Sequence, residues 1–228
     1  MRLIHKLRDP DSSLSIARRM RSKRFDFFLD LIRELPRPLR ILDVGGTQGF
    51  WVSMNFMESK GIHITILNLQ APVAEYENVT MISGNACDMK EFEDDAFDIV
   101  FSNSVIEHVG ELPEQEAMAR EVQRVGKRYF VQTPSLFFPI EPHYMFPFFQ
   151  FMPRRAKIWL LMNLKLGWGG KIGDRARAER AADSVKLLSE RRFLAMFDNP
   201  DVYREKVLGL TKSFIAYGGW SGSESSDR

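Results

Sequence analysis

The sequence predicts a doubly wound α/β fold on a mostly parallel sheet. Three observations carry this reading. Strand and helix patterns alternate from residue 40 to 133, the strands are near-continuous apolar runs, and glycine or proline marks the joins. Strands of that kind are buried on both faces, and crossover helices supply the cover.

The elements follow in order. Leu14, Ile16, Ala17, Met20, Phe25, Phe28, Leu29 and Ile32 are spaced for an amphipathic helix, or a broken pair of them, over 14–35, ended by Pro36 and Pro38. Arg40 to Val44 forms the first strand, closed by Gly45–Gly46. A largely apolar helix is expected from Phe50 to Lys60, with Gly61 as its cap. Ile62 to Leu69 and Val79 to Ser83 give strands two and three, and Ala96 to Ser102 the fourth. Pro113 suits the first turn of the next helix, whose Met118, Val122 and Val125 share a face until Gly126. Arg128 to Thr133 is the fifth strand.

The end of the chain differs. Ser189 can cap a helix through Phe193, Leu194 and Phe197. Val202 to Leu208 and Lys212 to Tyr217 are separated only by Gly209–Leu210–Thr211, too short a link for a crossover helix. These two strands must therefore pair antiparallel.

Composition bounds the function. The chain has 228 residues, 44% hydrophobic and 27% charged, which suits one soluble core and excludes a disordered or fibrous chain. A net charge of +2 gives no global basic field, so no nucleic-acid partner is expected. Arg18, Arg19, Arg21, Lys23 and Arg24 read as a solvated helix face, with a phosphate or anionic-lipid contact as the sharper alternative. Cys87 stands alone, which excludes an internal disulfide and a cysteine zinc cluster, and it reads as a packed residue. The four histidines, at 5, 63, 108 and 143, show no metal-ligand spacing, and no metal is expected. With neither a signal peptide nor a spanning apolar run, the cytoplasm is the default compartment. Residues 1–218 are expected to form one domain, and 219–228 a disordered tail; the oligomeric state is left open.

The sharpest segment is Ile41-Leu42-Asp43-Val44-Gly45-Gly46-Thr47-Gln48-Gly49-Phe50. A strand ends there in a turn whose glycines let backbone approach a ligand and take up positive φ. Dinucleotide folds use the same device, but Asp43 directly precedes the glycines and Thr47 interrupts the G-x-G-x-x-G pattern. The loop alone leaves the cofactor open.

Three further segments narrow it. Gly84-Asn85-Ala86 follows the third strand, Asn68 ends the second, and Phe97-Asp98-Ile99-Val100-Phe101-Ser102-Asn103-Ser104-Val105-Ile106-Glu107-His108-Val109 spans the fourth. Together with the loop they resemble the class I S-adenosylmethionine-dependent methyltransferases, small-molecule branch. The resemblance implies a Rossmann-like seven-stranded sheet with an antiparallel C-terminal strand, and S-adenosylmethionine as cofactor. It assigns Asp43, Gly45, Gly46, Thr47 and Gly49 to the loop that cradles the methionine part. Asn68, with Leu69 beside it, falls where the family has an acidic ribose-binding residue; Gln70 is the alternative. Asn85 and Ala86 take the adenine position, and the turn at Asn103 meets the cofactor's amino group through backbone. Methyltransferases of nucleic-acid bases carry a D/N/S-P-P-aromatic motif after the fourth strand. Ser102-Asn103-Ser104-Val105 lacks its prolines.

Methyl transfer needs alignment and exclusion of water, and a base only where the acceptor carries a proton. His143, in Pro139-Ile140-Glu141-Pro142-His143-Tyr144, is a candidate base that Glu141 could polarise. His108 is the second candidate, equally readable as a structural hydrogen-bonder, as His143 is readable as part of an ordinary Pro-rich turn. Phe137, Phe138, Tyr144, Phe146, Phe148, Phe149, Phe151 and Trp159 crowd a segment broken by Pro139, Pro142, Pro147 and Pro153. This insertion, within a cap expected over 134–183, implies a small, apolar or amphipathic organic acceptor. Arg154, Arg155 and Lys157 flank the aromatics, so 136–168 is also a candidate for peripheral membrane contact, with a lipid-linked or glycan acceptor. A noncatalytic binding protein on the same fold is the remaining alternative.

Overall fold

The computed structural model describes residues 10–57, 59–167 and 170–220. His5 and most of the expected tail lie outside the described residues, as does the side chain of Arg18. Helix α1 (Pro10–Ile32) leads into β1 (Leu39–Val44), α2 (Gln48–Ser53), β2 (Ile62–Asn68), β3 (Val79–Ser83) and β4 (Ile99–Asn103). Then come α3 (Leu112–Val125), β5 (Tyr129–Pro134), a short ribbon of β6 (Ile140–Glu141) and β7 (Phe146–Pro147), α4 (Arg154–Asn163) and α5 (Arg175–Asp183). Helix α6 (Glu190–Leu194) precedes the C-terminal hairpin of β8 (Asp201–Val207) and β9 (Leu210–Gly218).

Seven strands form one sheet in the order β3-β2-β1-β4-β5-β9-β8. Pairings from β3 through β5 are parallel, and β9 runs antiparallel to both β5 and β8. The expected mixed sheet is the observed one. The order reverses between β1 and β4, and ligands of such sheets sit outside the strands' carboxyl ends at that switch.

Each face of the sheet carries its own core. On one, Phe25 and Phe28 of α1 and Trp51 of α2 pack on Phe101 and Phe130, whose rings stack at 5.3 Å. Burying such a ring stabilises by about 1.5–3 kcal/mol. On the other, Met118, Val122 and Val125 of α3 and Phe193 of α6 cover Val44, Val100, Val131 and Phe214. The insertion has a third, separate cluster, in which Phe149 and Leu161 meet Ala178 and Ala182.

Three local expectations need correction. The helix after the glycine loop stops at Ser53, because Asn55 turns left-handed (φ 54°), and Gly61 (φ 69°) then leads into β2. The C-terminal link is a two-residue turn at Leu208 (φ 51°) and Gly209 (φ 82°), positive φ at both as a tight hairpin requires. Helix α5 was not anticipated from sequence, although Asp174 caps it by accepting from Arg177 N at 2.7 Å.

The basic cluster on α1 also divides. Arg19, Arg21 and Lys23 are exposed, as expected of a solvated face, but Arg24 is buried. Its guanidinium forks onto Glu205 of β8 (Nε–Oε1 3.1 Å, Nη2–Oε2 2.6 Å). Nη1 reaches Gln132 of β5 at 2.7 Å and also donates to Asn103 of β4. Removing one partner of a buried pair strands the other charge. Arg24→Ala should therefore lower unfolding free energy by about 3–5 kcal/mol in urea titrations. The R24M/E205L double variant should lose less than either single one; equal or larger loss in the double variant would mean that packing, not pairing, holds α1.

Candidate functional site

The carboxyl edge of the sheet gathers the residues singled out from sequence. The loop after β1 turns at Gly45 (φ 75°), whose N–H bonds to Leu67 O at 2.7 Å. A Cβ on Gly46 would lie 1.7 Å from the Asp43 carboxylate, so only glycine fits over that side chain. Thr47 is the N-cap of α2, its hydroxyl accepting from Phe50 N at 3.4 Å, which accounts for a threonine where glycine was expected.

Asp43 itself is buried and accepts from Trp51 Nε1 at 2.6 Å. Burial pushes its carboxyl from 3.8 up to about 7, only partly opposed by the Trp51 bond. It braces the loop from below and presents no carboxylate to solvent. Asn68 uses its amide to donate to Gly46 O at 2.9 Å and its carbonyl to accept from Leu69 N at 2.8 Å. Asn85 Oδ1 accepts from Cys87 N at 3.0 Å, and Asn103 Oδ1 accepts from Arg24. These side chains shape the loops, leaving backbone and spare lone pairs to face a ligand. Gln70, at the end of the same edge, is exposed.

The edge fits an adenosyl cofactor. A Cβ on Gly49 would meet only Thr47 Oγ1, at 3.9 Å, so the space before α2 is open. Leu69 is 77% exposed at the end of β2, an apolar surface that a purine or ribose could cover.

The second group lies beyond β4 and β5. Gln115 holds the short turn Ile106–His108 by donating to Ile106 O at 3.1 Å and Lys186 O at 2.9 Å. That turn presents His108, and the β6–β7 ribbon presents His143. Their Nε2 atoms are 3.1 Å apart, with the rings perpendicular. His143 Nδ1 lies 2.6 Å from Glu141 Oε1, whose second oxygen accepts from Tyr144 N at 2.7 Å. His108 Nδ1 lies 3.4 Å from Ser184 O.

Sequence reasoning missed Glu107. It is fully buried, accepts from Thr133 Oγ1 at 2.9 Å through one oxygen, and leaves Oε1 unpaired 3.9 Å from His143 Nε2. Burial pushes its carboxyl up to about 7. Burial and the neighbouring His143 pull His108 below the usual histidine value. Burial also pulls on His143, but the Glu141 bond and the charges of Glu141 and Glu107 outweigh it and raise this imidazole. The only trace in the sequence was a carboxylate next to His108; its burial could not be read there, because it depends on packing from β5 and the insertion.

A cavity of about 260 Å³ opens beneath the insertion beside this group. Leu136, Tyr144 and Phe149 supply apolar wall, Glu141 and Gln150 polar wall, and Lys157 a cation. Lys157 Nζ sits 5.7 Å from the Phe149 ring centre and joins no ion pair among the described residues.

Comparison with known proteins bears on the domain and the fold. Residues 42–129 match the family model for the methyltransferase domain. Among curated proteins none matches significantly. The N-terminal domain of EvdMO1, solved with SAH and D-fucose, is similar in fold at 15% identity, covering 87% of this chain and 82% of that one with a TM-score of 0.52. A SAM-dependent methyltransferase from Methanosarcina mazei is similar at 14% identity, covering 82% and 95%, with a TM-score of 0.50. Alignments to solved structures span from 43% to 95% of the other chain. Residues 42–129 thus carry the match to a methyltransferase domain, and the sheet around them has the fold of solved S-adenosylmethionine-dependent methyltransferases. The solved proteins of this fold are described with S-adenosylmethionine or SAH, the cofactor expected from the sequence.

The raised Asp43 carboxyl makes a testable contribution to stability. The folded chain keeps a proton there that the unfolded chain has released, so stability is lost as pH rises from about 4 through about 7. Urea midpoints measured across that window should fall less steeply for Asp43→Asn than for wild type. Parallel slopes in the two proteins would show that Asp43 titrates normally.

Proposed function

We propose that the chain transfers the methyl group of S-adenosylmethionine to a small amphipathic acceptor held under the 134–183 cap. The cavity bounded by Glu141, at the same sheet edge as the glycine loop, is the observation that carries this reading. Gly45, Gly46, Thr47 and Gly49 would cradle the methionine part through backbone. Asn68 would bind ribose through the spare lone pair on Oδ1, with Leu69 beside it. Asn85 and Ala86 would flank adenine, and backbone at Asn103 the amino group. The acceptor's lone pair forms the new bond to the methyl carbon as the carbon–sulfur bond breaks onto sulfur. Apart from proton handling, this asks of the protein only alignment and dryness.

Phe149 and Leu136 suit an apolar body, and Lys157 suits an anionic or hydrogen-bonding end. Burial, and then Lys186, holds the Lys157 ammonium below the usual lysine value, so a bound anion would stabilise its charged form. The His108–His143 pair, braced by Glu141, is the centre that activates an acceptor hydroxyl.

A second reading rests on Phe137 (68% exposed), Phe148 (56%), Phe151 (52%) and Trp159 (60%), all on the insertion near Arg154 and Arg155. Such a surface suits a chain working on a lipid-linked acceptor at a membrane face. No helix among the described residues is long and apolar enough to cross a membrane. Co-sedimentation with anionic vesicles, lost in a F148S/W159S variant, would favour it.

Calorimetric titration should give micromolar binding of S-adenosylmethionine and of its demethylated product, with none for NAD. Gly49→Val should keep the fold and weaken both ligands at least tenfold, since the side chain enters open space. Lys157→Ala should raise the KM of an identified acceptor about tenfold while leaving cofactor affinity unchanged. Binding of NAD alone, or G49V binding like wild type, would overturn the cofactor placement.

A further inference from the structure

Two of the four histidines meet ring nitrogen to ring nitrogen at 3.1 Å. Glu141 is a carboxylate and Ser184 O a carbonyl, both acceptors, so each histidine donates from Nδ1. In neutral rings both Nε2 atoms then carry lone pairs, and these point at one another across 3.1 Å. Glu107 Oε1 adds a third lone-pair atom, buried and without a hydrogen-bond partner. One ligand atom from each of the three residues lies within 4.8 Å of the other two, and Glu107 Oε1 is 3.9 Å from His143 Nε2. A proton shared by the two rings would satisfy the imidazoles but leave Glu107 Oε1 unanswered; a cation would satisfy all three.

We infer that Glu107 Oε1, His108 Nε2 and His143 Nε2 form a binding site for one divalent transition-metal ion of the zinc type. Two imidazoles and a carboxylate are the ligand types such borderline ions take, at about 2.0–2.2 Å each. Tetrahedral geometry at those lengths puts ligand atoms about 3.3 Å apart. The His108–His143 separation is already near that, and the 3.9 Å from Glu107 to His143 needs to shorten by roughly half an ångström. The outer partners are in place as well. A metal-bound histidine usually gives its other N–H to a carboxylate or a backbone carbonyl, the roles of Glu141 and Ser184 O.

Three protein ligands leave a coordination position open, the pattern of sites that act on a bound molecule. An acceptor hydroxyl bound there would lose its proton to water near neutral pH, without an imidazole taking it. This part rests on the reading above, that the pair activates the acceptor; the binding site does not. His143 then acts as a ligand in place of the general base expected from sequence.

The test is titration of chelator-treated protein with Zn²⁺ alone, followed by calorimetry and by thermal melting, with neither cofactor nor acceptor present. One equivalent should bind and raise Tm. H108Q and H143Q should each weaken binding more than tenfold, and E141Q, an outer partner, by about 10–100-fold. H63A, whose imidazole pairs with Thr80 on the sheet, should bind like wild type. Absence of Zn²⁺ binding to wild type, or full binding retained in both H108Q and H143Q, would overturn the site and leave a shared proton in the gap. Should H108Q or H143Q fail to fold, E141Q decides, because unchanged affinity there would equally count against it. Zinc binding without methyl transfer would sink the proposed function and leave the metal site standing.

Discussion

The buried guanidinium of Arg24 is the contact on which the rest of the arrangement depends. It joins four elements that are far apart in sequence: α1, β4, β5 and β8. Glu205 completes the link by accepting from Ser213 of β9. A buried guanidinium is tolerated only when its donors are matched, and here Glu205, Gln132 and Asn103 match them. The consequence reaches the carboxyl edge. Asn103 and Ser104 form the turn after β4, and Ser104 Oγ donates to the same Gln132 oxygen at 2.9 Å. The turn that carries the expected cofactor contact is thus held in register with α1.

Much of this fold is legible in the sequence because parallel strands advertise themselves. Ile41, Leu42, Val44, Ile64, Ile66, Ile99 and Val100 fall in short, mostly apolar runs, and all are buried. The C-terminal hairpin was legible from loop length alone. What escaped was local backbone choice. Asn55 ends α2 early by going left-handed, and no apolar spacing signals that. Helix α5, reading Arg-Ala-Arg-Ala-Glu-Arg-Ala-Ala-Asp, has only small residues on its buried face, so its pattern looks like a polar linker. Arg24 escaped for the converse reason. Its partner Glu205 lies 181 residues away, and a charge among charges gives no sign of burial.

The candidate site divides along the same line. Glycines and the turn after β4 were readable because their constraint is local: a Cβ at Gly46 has no room above Asp43, whatever the rest of the chain does. The histidine cluster was not readable as a cluster. Glu107 and His108 come from a turn after β4, His143 from the ribbon after β5, and Ser184 from the end of α5. Only the crossover of the sheet and the folding back of the insertion bring them to one point. Histidine spacing in sequence therefore gave no sign that the fold brings these side chains together.

Two buried carboxyls near the same edge, both pushed up to about 7, show how differently one perturbation can be used. Asp43 lies under the glycine loop and meets the indole N–H of Trp51, a partner fixed by the aromatic core around it. Its burial is answered from within the fold, and its position explains the shape of the loop above. Glu107 receives one hydroxyl, from Thr133, and keeps its other oxygen unanswered beside an imidazole. An unpaired buried carboxylate oxygen is costly, on the order of 1–3 kcal/mol, and apolar substitution would remove the cost. A chain built only for stability would place a hydrophobic residue there, as at neighbouring Ile106. The fold carries that cost at a point where two imidazoles also meet, Nε2 to Nε2 at 3.1 Å. Structural burial accounts for Asp43; Glu107 differs in that its unanswered oxygen lies beside the imidazole pair on which the inferred site rests.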